Sequence, residues 1–158
     1  MVRALRQRAG RMTRILEYRQ KLVEEAQRQL AEQQRWVAAC EAMLAELNAS
    51  QRALASSLAA LAGVPVEPTI LAGAESYEAW LARRRAEQET LLEEAKRRAE
   101  AARAELIAQR RETKKLEVMR TRWLREAARL ERTAEARALD DIANTRAALR
   151  MRADEDPA

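Results

Sequence analysis

Histidine and phenylalanine are absent from the 158 residues, which hold one cysteine, three glycines, three prolines, three tryptophans and two tyrosines. Each shortage removes a class of function. Without histidine the chain has neither the usual general base at neutral pH nor the commonest metal ligand. A lone cysteine closes no internal disulfide and builds no zinc site. Cys40 falls on a packing seam, where it reads as a small buried hydrophobe in a reducing compartment rather than as a reactive thiol. Five aromatics supply little bulk for a globular interior. No apolar run approaches the roughly 20 residues of a membrane span, and the N-terminus lacks the apolar stretch of a secretion signal, so a cytoplasmic protein is expected. The paired acids Glu24-Glu25 and Glu93-Glu94 are adjacent on solvated helix faces and make no catalytic dyad. Asn48-Ala-Ser50 matches a glycosylation acceptor by chance, inside a helix. The expectation is a protein that is not an enzyme and binds no cofactor or metal.

What is abundant is the set of strong helix formers, Ala, Leu, Glu, Arg and Gln, with 35% charged and 47% hydrophobic residues. That balance belongs to long helices rather than to a globular core. From Leu5 to Leu61 a 3,4 repeat runs through Ala9, Met12, Leu16, Arg19, Val23, Ala26, Leu30, Gln33, Val37, Cys40, Leu44, Leu47, Gln51, Leu54 and Leu58, and 14 of its 17 positions are apolar. A period of about 3.5 residues predicts a helix that packs along one narrow seam in a left-handed coiled coil. Such a seam encloses no cavity. Arg19, Gln33 and Gln51 on it cost stability and are expected to fix register. Because the heptad phase already begins at Leu5, the acid-free run of Arg3, Arg6, Arg8, Arg11 and Arg14 reads as part of the helix rather than as a transit peptide.

The strong helix breaks gather in one stretch, from Gly63-Val-Pro65 through Pro68 to Gly73 and Ser76. Helix 1 is therefore expected over about residues 3–62, a loop over 63–76 and helix 2 over 77–152. Ser76 is the expected N-cap, with Glu78 in the first turn, and an acidic tail, 153–158, is expected to fray. The fold class that follows is all-α, a long antiparallel two-helix coiled-coil hairpin in one domain. At 1.5 Å per residue the helices span roughly 90 Å and roughly 115 Å, so the second must overhang. With the bend near residue 69, Gln51 is expected to face Gln88, Leu16 to face Trp123 and Leu5 to lie near Ala134. The second seam reads less regularly, through Leu81, Leu91, Ala95, Ala99, Ala102, Leu106, Leu116, Trp123, Ala127, Leu130 and Ala134, with a slip near Arg98 and Ala99.

Past that seam Leu139, Ile142, Ala143 and Leu149 still mark an apolar stripe. It is a candidate contact surface for an external partner; the alternatives are self-association or cover by residues 1–5. Charge is uneven. Residues 1–21 carry seven basic groups against Glu17, and residues 110–132 carry nine against four acids. The two segments lie side by side in the expected register, giving one positive end made by both termini. A positive end suits an acidic docking site, an anionic membrane or nucleic acid. Nucleic acid is disfavoured, because no stacking aromatics accompany the arginines and no basic extension continues a zipper. Trp36 and Trp80 lie beside the seams. Trp36 reads equally as an interface anchor or as lateral packing, and Trp80 as an anchor or as a cap on the core near the loop, with Tyr77 sharing its fate.

The basic opening Arg11-Met-Thr-Arg-Ile-Leu-Glu-Tyr-Arg19, the block Arg111-Glu-Thr-Lys-Lys-Leu-Glu-Val-Met-Arg120 and the ending Glu135-Ala-Arg-Ala-Leu-Asp-Asp-Ile-Ala-Asn-Thr-Arg146 together resemble the flagellar FliJ family over nearly the whole chain. Asp141 stands where that family usually has Glu, and Met12 where an aromatic is common. The YscO-type stalk of injectisomes looks similar. The resemblance implies a non-enzymatic stalk of a type III export apparatus, cytoplasmic and peripheral to the inner membrane, whose terminal end enters the hexameric export ATPase. It also implies contacts with the export gate and with substrate chaperones. Carried onto this chain, the ATPase contacts fall at Arg137, Asp140, Asp141 and Arg146, and gate or chaperone contacts near Trp36, Tyr77 and Trp80. The competing expectation is a generic structural coiled coil with no ATPase partner.

Overall fold

The computed structural model describes residues 1–155 and is all-α. It has two helices, α1 over Val2–Ala60 and α2 over Pro68–Glu155, which pack against each other, and the second is the longer. The chain divides into two compact units, one of Met1–Leu22 with Arg110–Ala158 and one of Val23–Gln109. Within each unit the two helices run antiparallel. In the first, Arg6 pairs with Glu131 at 2.7 Å. In the second, the Arg85 Nη1 donates to Gln51 Oε1 at 3.3 Å while Val23 and Ala26 pack on Leu106.

The turn explains where each helix stops. Leu61, Ala62 and Val64 each donate a main-chain hydrogen bond three residues back, to Leu58, Ala59 and Leu61 respectively, which tightens the end of α1. Gly63 follows at φ 80°, the left-handed conformation that closes a helix at little cost only with glycine. Helix α2 then begins at Pro68, nine residues before the expected start at Tyr77. Proline suits the first position of a helix, where its missing N–H would have had no partner. The Glu67 carbonyl accepts from Ile70 at 3.0 Å and from Leu71 at 3.4 Å, so Glu67 rather than Ser76 caps the helix. Gly73 and Ser76 are interior helical residues. The linker is thus 61–67, shorter and earlier than the expected 63–76, and the pairing shifts with it: Gln51 meets Arg85, three residues before the expected Gln88. At the other end α2 reaches Glu155. Of the tail expected to fray, residues 156–158 lie outside the described residues.

In α1 the heptad is found as read: every seam position from Leu5 to Leu58 is buried or half-buried, and Leu61 at the helix end is exposed. The α2 seam needs two corrections. Leu92, not Leu91, is the packed residue, 7% against 43% exposed. The slip near Arg98 and Ala99 does not occur. From Gln88 the covered positions run Leu92, Ala95, Ala99, Ala102, Leu106, Gln109, Thr113, Leu116, Arg120, Trp123, Ala127 and Leu130, an unbroken alternation of fours and threes. Ala134 is exposed and outside the seam.

Burial is thin. Besides the Val23, Ala26 and Leu106 cluster, the second unit packs Cys40, Leu92 and Ala95 with Val37 and Leu44. Alanine fills the closest approaches, with Ala95 at 0% and Ala127 at 1% exposure. Each alanine contributes little at roughly 25 cal/mol per Å² of apolar surface removed from water. Polar groups help set the alignment. Gln88 is buried, and its Nε2 donates to the Cys40 carbonyl at 3.2 Å.

Candidate functional site

After Glu131 in the first unit, every position of α2 from 132 to 152 is exposed. This segment remains helical without a covering neighbour, supported locally by the Thr133 and Thr145 hydroxyls, which donate to the Arg129 and Asp141 carbonyls at 3.0 and 2.7 Å. Leu139, Ile142 and Leu149 stand 67%, 50% and 60% exposed. Met1 is itself 92% exposed, so the chain start does not close over them.

The direction of this apolar stripe is a finding the sequence reading did not contain. Continued past Leu130, the 3,4 phase of the seam falls on Ala134, Arg137, Asp141, Asn144 and Ala148, a series with no large apolar residue. Leu139, Ile142 and Leu149 occupy a different side of the helix, because successive residues turn by about 100°. The seam chemistry therefore ends where α1 ends, and the helix beyond presents a separate face. Of the four residues expected at this end, Asp141 and Arg146 line one shallow groove with Ile142 and Thr145, while Arg137 and Asp140 lie outside it.

The aromatic group divides. Tyr77 and Trp80 in the second unit stack with ring centroids 5.8 Å apart and planes 11° from parallel. Each is about half exposed, while Leu81 beside them supplies the core contact at 2% exposure. Trp80 is therefore not a cap on the core. Leu61, Val64, Ile70 and Leu71 are also exposed around the turn. Sequence reasoning passed over them because they read as loop. Trp36, half exposed, sits instead in a groove with Arg28, Glu32, Arg35 and Arg98. Eighteen helical residues separate Arg98 from Trp80, roughly 27 Å, so the structure does not bring Trp36 together with the stacked pair.

Electrostatics mark the first unit. Four of its α2 acids are engaged: Glu112 with Lys115 at 2.6 Å, Glu117 with Lys114 at 3.2 Å, Glu126 with Arg129 at 2.7 Å and Glu131 with Arg6. The Lys115 ammonium, by hydrogen bond and by charge, holds the Glu112 carboxyl below its ordinary pKa, with a smaller contribution from Arg19. The Arg129 guanidinium does the same for Glu126. A shallow groove over Leu16, Arg120, Arg122, Arg125 and Arg129 is dominated by arginine. Among the described residues there is no cluster of acids and cysteine fit to hold a metal ion, and no helix is long and apolar enough to cross a membrane.

The profile of the family described as "Flagellar FliJ protein" matches residues 7–152, nearly the whole chain. No curated protein and no solved structure matches it.

Proposed function

From the chain's membership of the flagellar FliJ family, a family of type III export stalk proteins rather than enzymes, we infer that it acts by inserting its terminal end into the ring of the export ATPase. The observation that carries this reading is the run of α2 beyond Glu131, helical and uncovered from 132 to 152, with Leu139, Ile142 and Leu149 turned away from the seam. An apolar face that the hairpin does not use is available to a partner. Asp141 and Arg146, beside Ile142 in one groove, are assigned the polar part of that contact. The stacked Tyr77 and Trp80 in the second unit, with Ile70 and Leu71 exposed near the turn, are assigned the contact with the export gate. Trp36, in its own arginine-flanked groove, is assigned to a substrate chaperone. Half-exposed tryptophan and neighbouring arginine are the residue types that most often anchor protein interfaces.

The test is ATP hydrolysis by the cognate flagellar export ATPase with and without the chain. Stimulation is expected, and it should be lost in Ile142→Ser/Arg146→Ala. Tyr77→Ala/Trp80→Ala should retain stimulation and lose capture of the gate's cytoplasmic domain. If the unaltered chain neither stimulates nor is captured by the ATPase, the stalk reading fails and a scaffolding coiled coil takes its place.

A further inference from the structure

Charge is distributed between the units in opposite senses. The unit of 1–22 with 110–158 carries 20 basic and 11 acidic groups, a net +9, and the unit of 23–109 carries 10 and 14, a net −4. Within the positive unit the excess is further sorted by face. Stepping alternately four and three residues from Arg111 to Arg150, on the side of α2 away from its seam, one meets seven arginines, one lysine, one valine, one leucine and two alanines, and no acid. All twelve positions are exposed. The carboxylates of the same stretch are elsewhere: Glu112, Glu117, Glu126 and Glu131 flank the seam and are already paired. Asp141 falls on the opposite side of the helix, Glu135 and Asp140 border the line, and Glu112 and Glu126 are paired to its members Lys115 and Arg129. Among the described residues Arg122 and Arg125 have no carboxylate partner.

We propose that this line of α2 is a binding surface for an anionic lipid bilayer. Three features favour a bilayer over other polyanions. The line extends over roughly 58 Å of helix, winding slowly around it as a 3.5-residue repeat must, and a laterally continuous anionic surface can meet it over several turns at a time. Toward its end Leu139 lies on the line and Ile142 and Leu149 lie beside it, interleaved with Arg132, Arg146 and Arg150, while Asp141 points elsewhere. That is the pattern of a helix lying in a headgroup layer, where leucine enters the acyl boundary and arginine stems run up to the phosphates. No aromatic stands on the line to stack a nucleobase, which removes the usual second component of single-strand nucleic-acid binding. Arginine predominates, and its planar fork takes phosphate oxygens two at a time.

The test is flotation of the full chain with vesicles of phosphatidylcholine alone and with vesicles containing phosphatidylglycerol, with no ATPase present. Binding is expected only to the anionic vesicles and should weaken as salt rises. Each arginine near such a surface changes partitioning by roughly fivefold, so Arg122→Gln/Arg125→Gln/Arg132→Gln/Arg150→Gln should abolish flotation. Arg28→Gln/Arg35→Gln/Arg52→Gln/Arg103→Gln removes the same charge from the other unit and should leave flotation intact. Leu139→Ser/Leu149→Ser should release the chain at lower salt than the unaltered protein. Circular dichroism checks that every variant keeps its helices. No flotation at low salt, or equal loss in both quadruple variants, overturns the proposal. So does binding to duplex DNA or to polyglutamate at a salt concentration where anionic vesicles are not bound.

Discussion

The side-chain amide of Gln88 donates to the main-chain carbonyl of Cys40 across 3.2 Å, linking α2 to α1 in the second unit through a buried polar contact. A helical carbonyl spends one lone pair on its own helix, and Gln88 takes the other. The bond can form at only one alignment of the two helices, which makes it a register device in an otherwise apolar layer. Gln88→Leu should leave thermal stability unchanged or raise it by up to about 1 kcal/mol, because an apolar side chain replaces a desolvated amide. The alignment should loosen. With spin labels at Glu32→Cys and Arg98→Cys and Cys40 replaced by serine, the distance distribution should broaden when Gln88→Leu is added. An unchanged distribution would show that register is set elsewhere.

Leu91 and Leu92 decide the phase of α2. Leu92 packs with Cys40 and Ala95, whereas Leu91 is 43% exposed. Leu92→Ala should cost about 2–3 kcal/mol from lost transfer energy and an incompletely closed cavity. Leu91→Ala should stay within about 0.5 kcal/mol, as expected for a surface change away from special features. Chemical denaturation of the two single variants measures both, and comparable losses would restore the phase read from the sequence.

That exchange of neighbours shows what the sequence could and could not express. The α1 seam was legible because apolar residues occupy nearly all of it. The α2 seam was obscured because Gln88, Gln109, Thr113 and Arg120 stand on it, and a search for apolar recurrence steps around polar residues and lands one position off. The turn was misread for a related reason. Pro68 and Gly73 count as breakers by residue type, yet Pro68 occupies the one helical turn that tolerates it. The overhang could be read from helix lengths alone, but the rotation of its apolar face could not, since that depends on where the true seam phase runs. The exposed aromatics were located by their distance from the seam, and only the structure separates Trp36 from the Tyr77 and Trp80 pair.

The glycines should respond with opposite signs. Gly10 and Gly73 are helical, and a methyl group at either would meet nothing within 4 Å. Gly10→Ala and Gly73→Ala should each stabilise by about 0.5–1 kcal/mol. Gly63, with φ 80°, has the same open surroundings but a backbone that alanine adopts only under strain. Gly63→Ala should therefore destabilise by about 1 kcal/mol. Melting temperatures of the three variants test whether backbone conformation, rather than space, sets the sign.

Glu112 and Glu126 have folded-state pKa values below their ordinary ones, so the stabilising charge is present above the unfolded pKa and is lost as pH falls through the folded value. Both carboxylates are open to solvent on one side, so this contribution should be small and should shrink further in salt. Carboxylate titration by NMR should find both midpoints below that of a model glutamate. Lys115→Gln should return the Glu112 midpoint most of the way and leave Glu126 unmoved. Equal movement of both would mean that the general positive field of the unit, and not the Lys115 contact, holds Glu112 down.

Arg120 is the least settled member of the α2 seam. It is half-buried at a position whose neighbours in phase are Leu116 and Trp123, and its Nε is covered yet has no hydrogen-bond partner among the described residues. A covered donor without a partner costs about 1–3 kcal/mol, and a cation on a seam adds to that. Methionine has a similar unbranched stem and carries no donor, so Arg120→Met should raise stability by about 1 kcal/mol, read as a higher denaturation midpoint with an unchanged slope. The same residue lines the groove with Arg122, Arg125 and Arg129. If Arg120→Met stabilises the hairpin but weakens ATPase stimulation or vesicle binding, the guanidinium serves a contact at the expense of the fold. If it does neither, Arg120 is held as the other polar seam residues are, to keep α1 and α2 in one alignment.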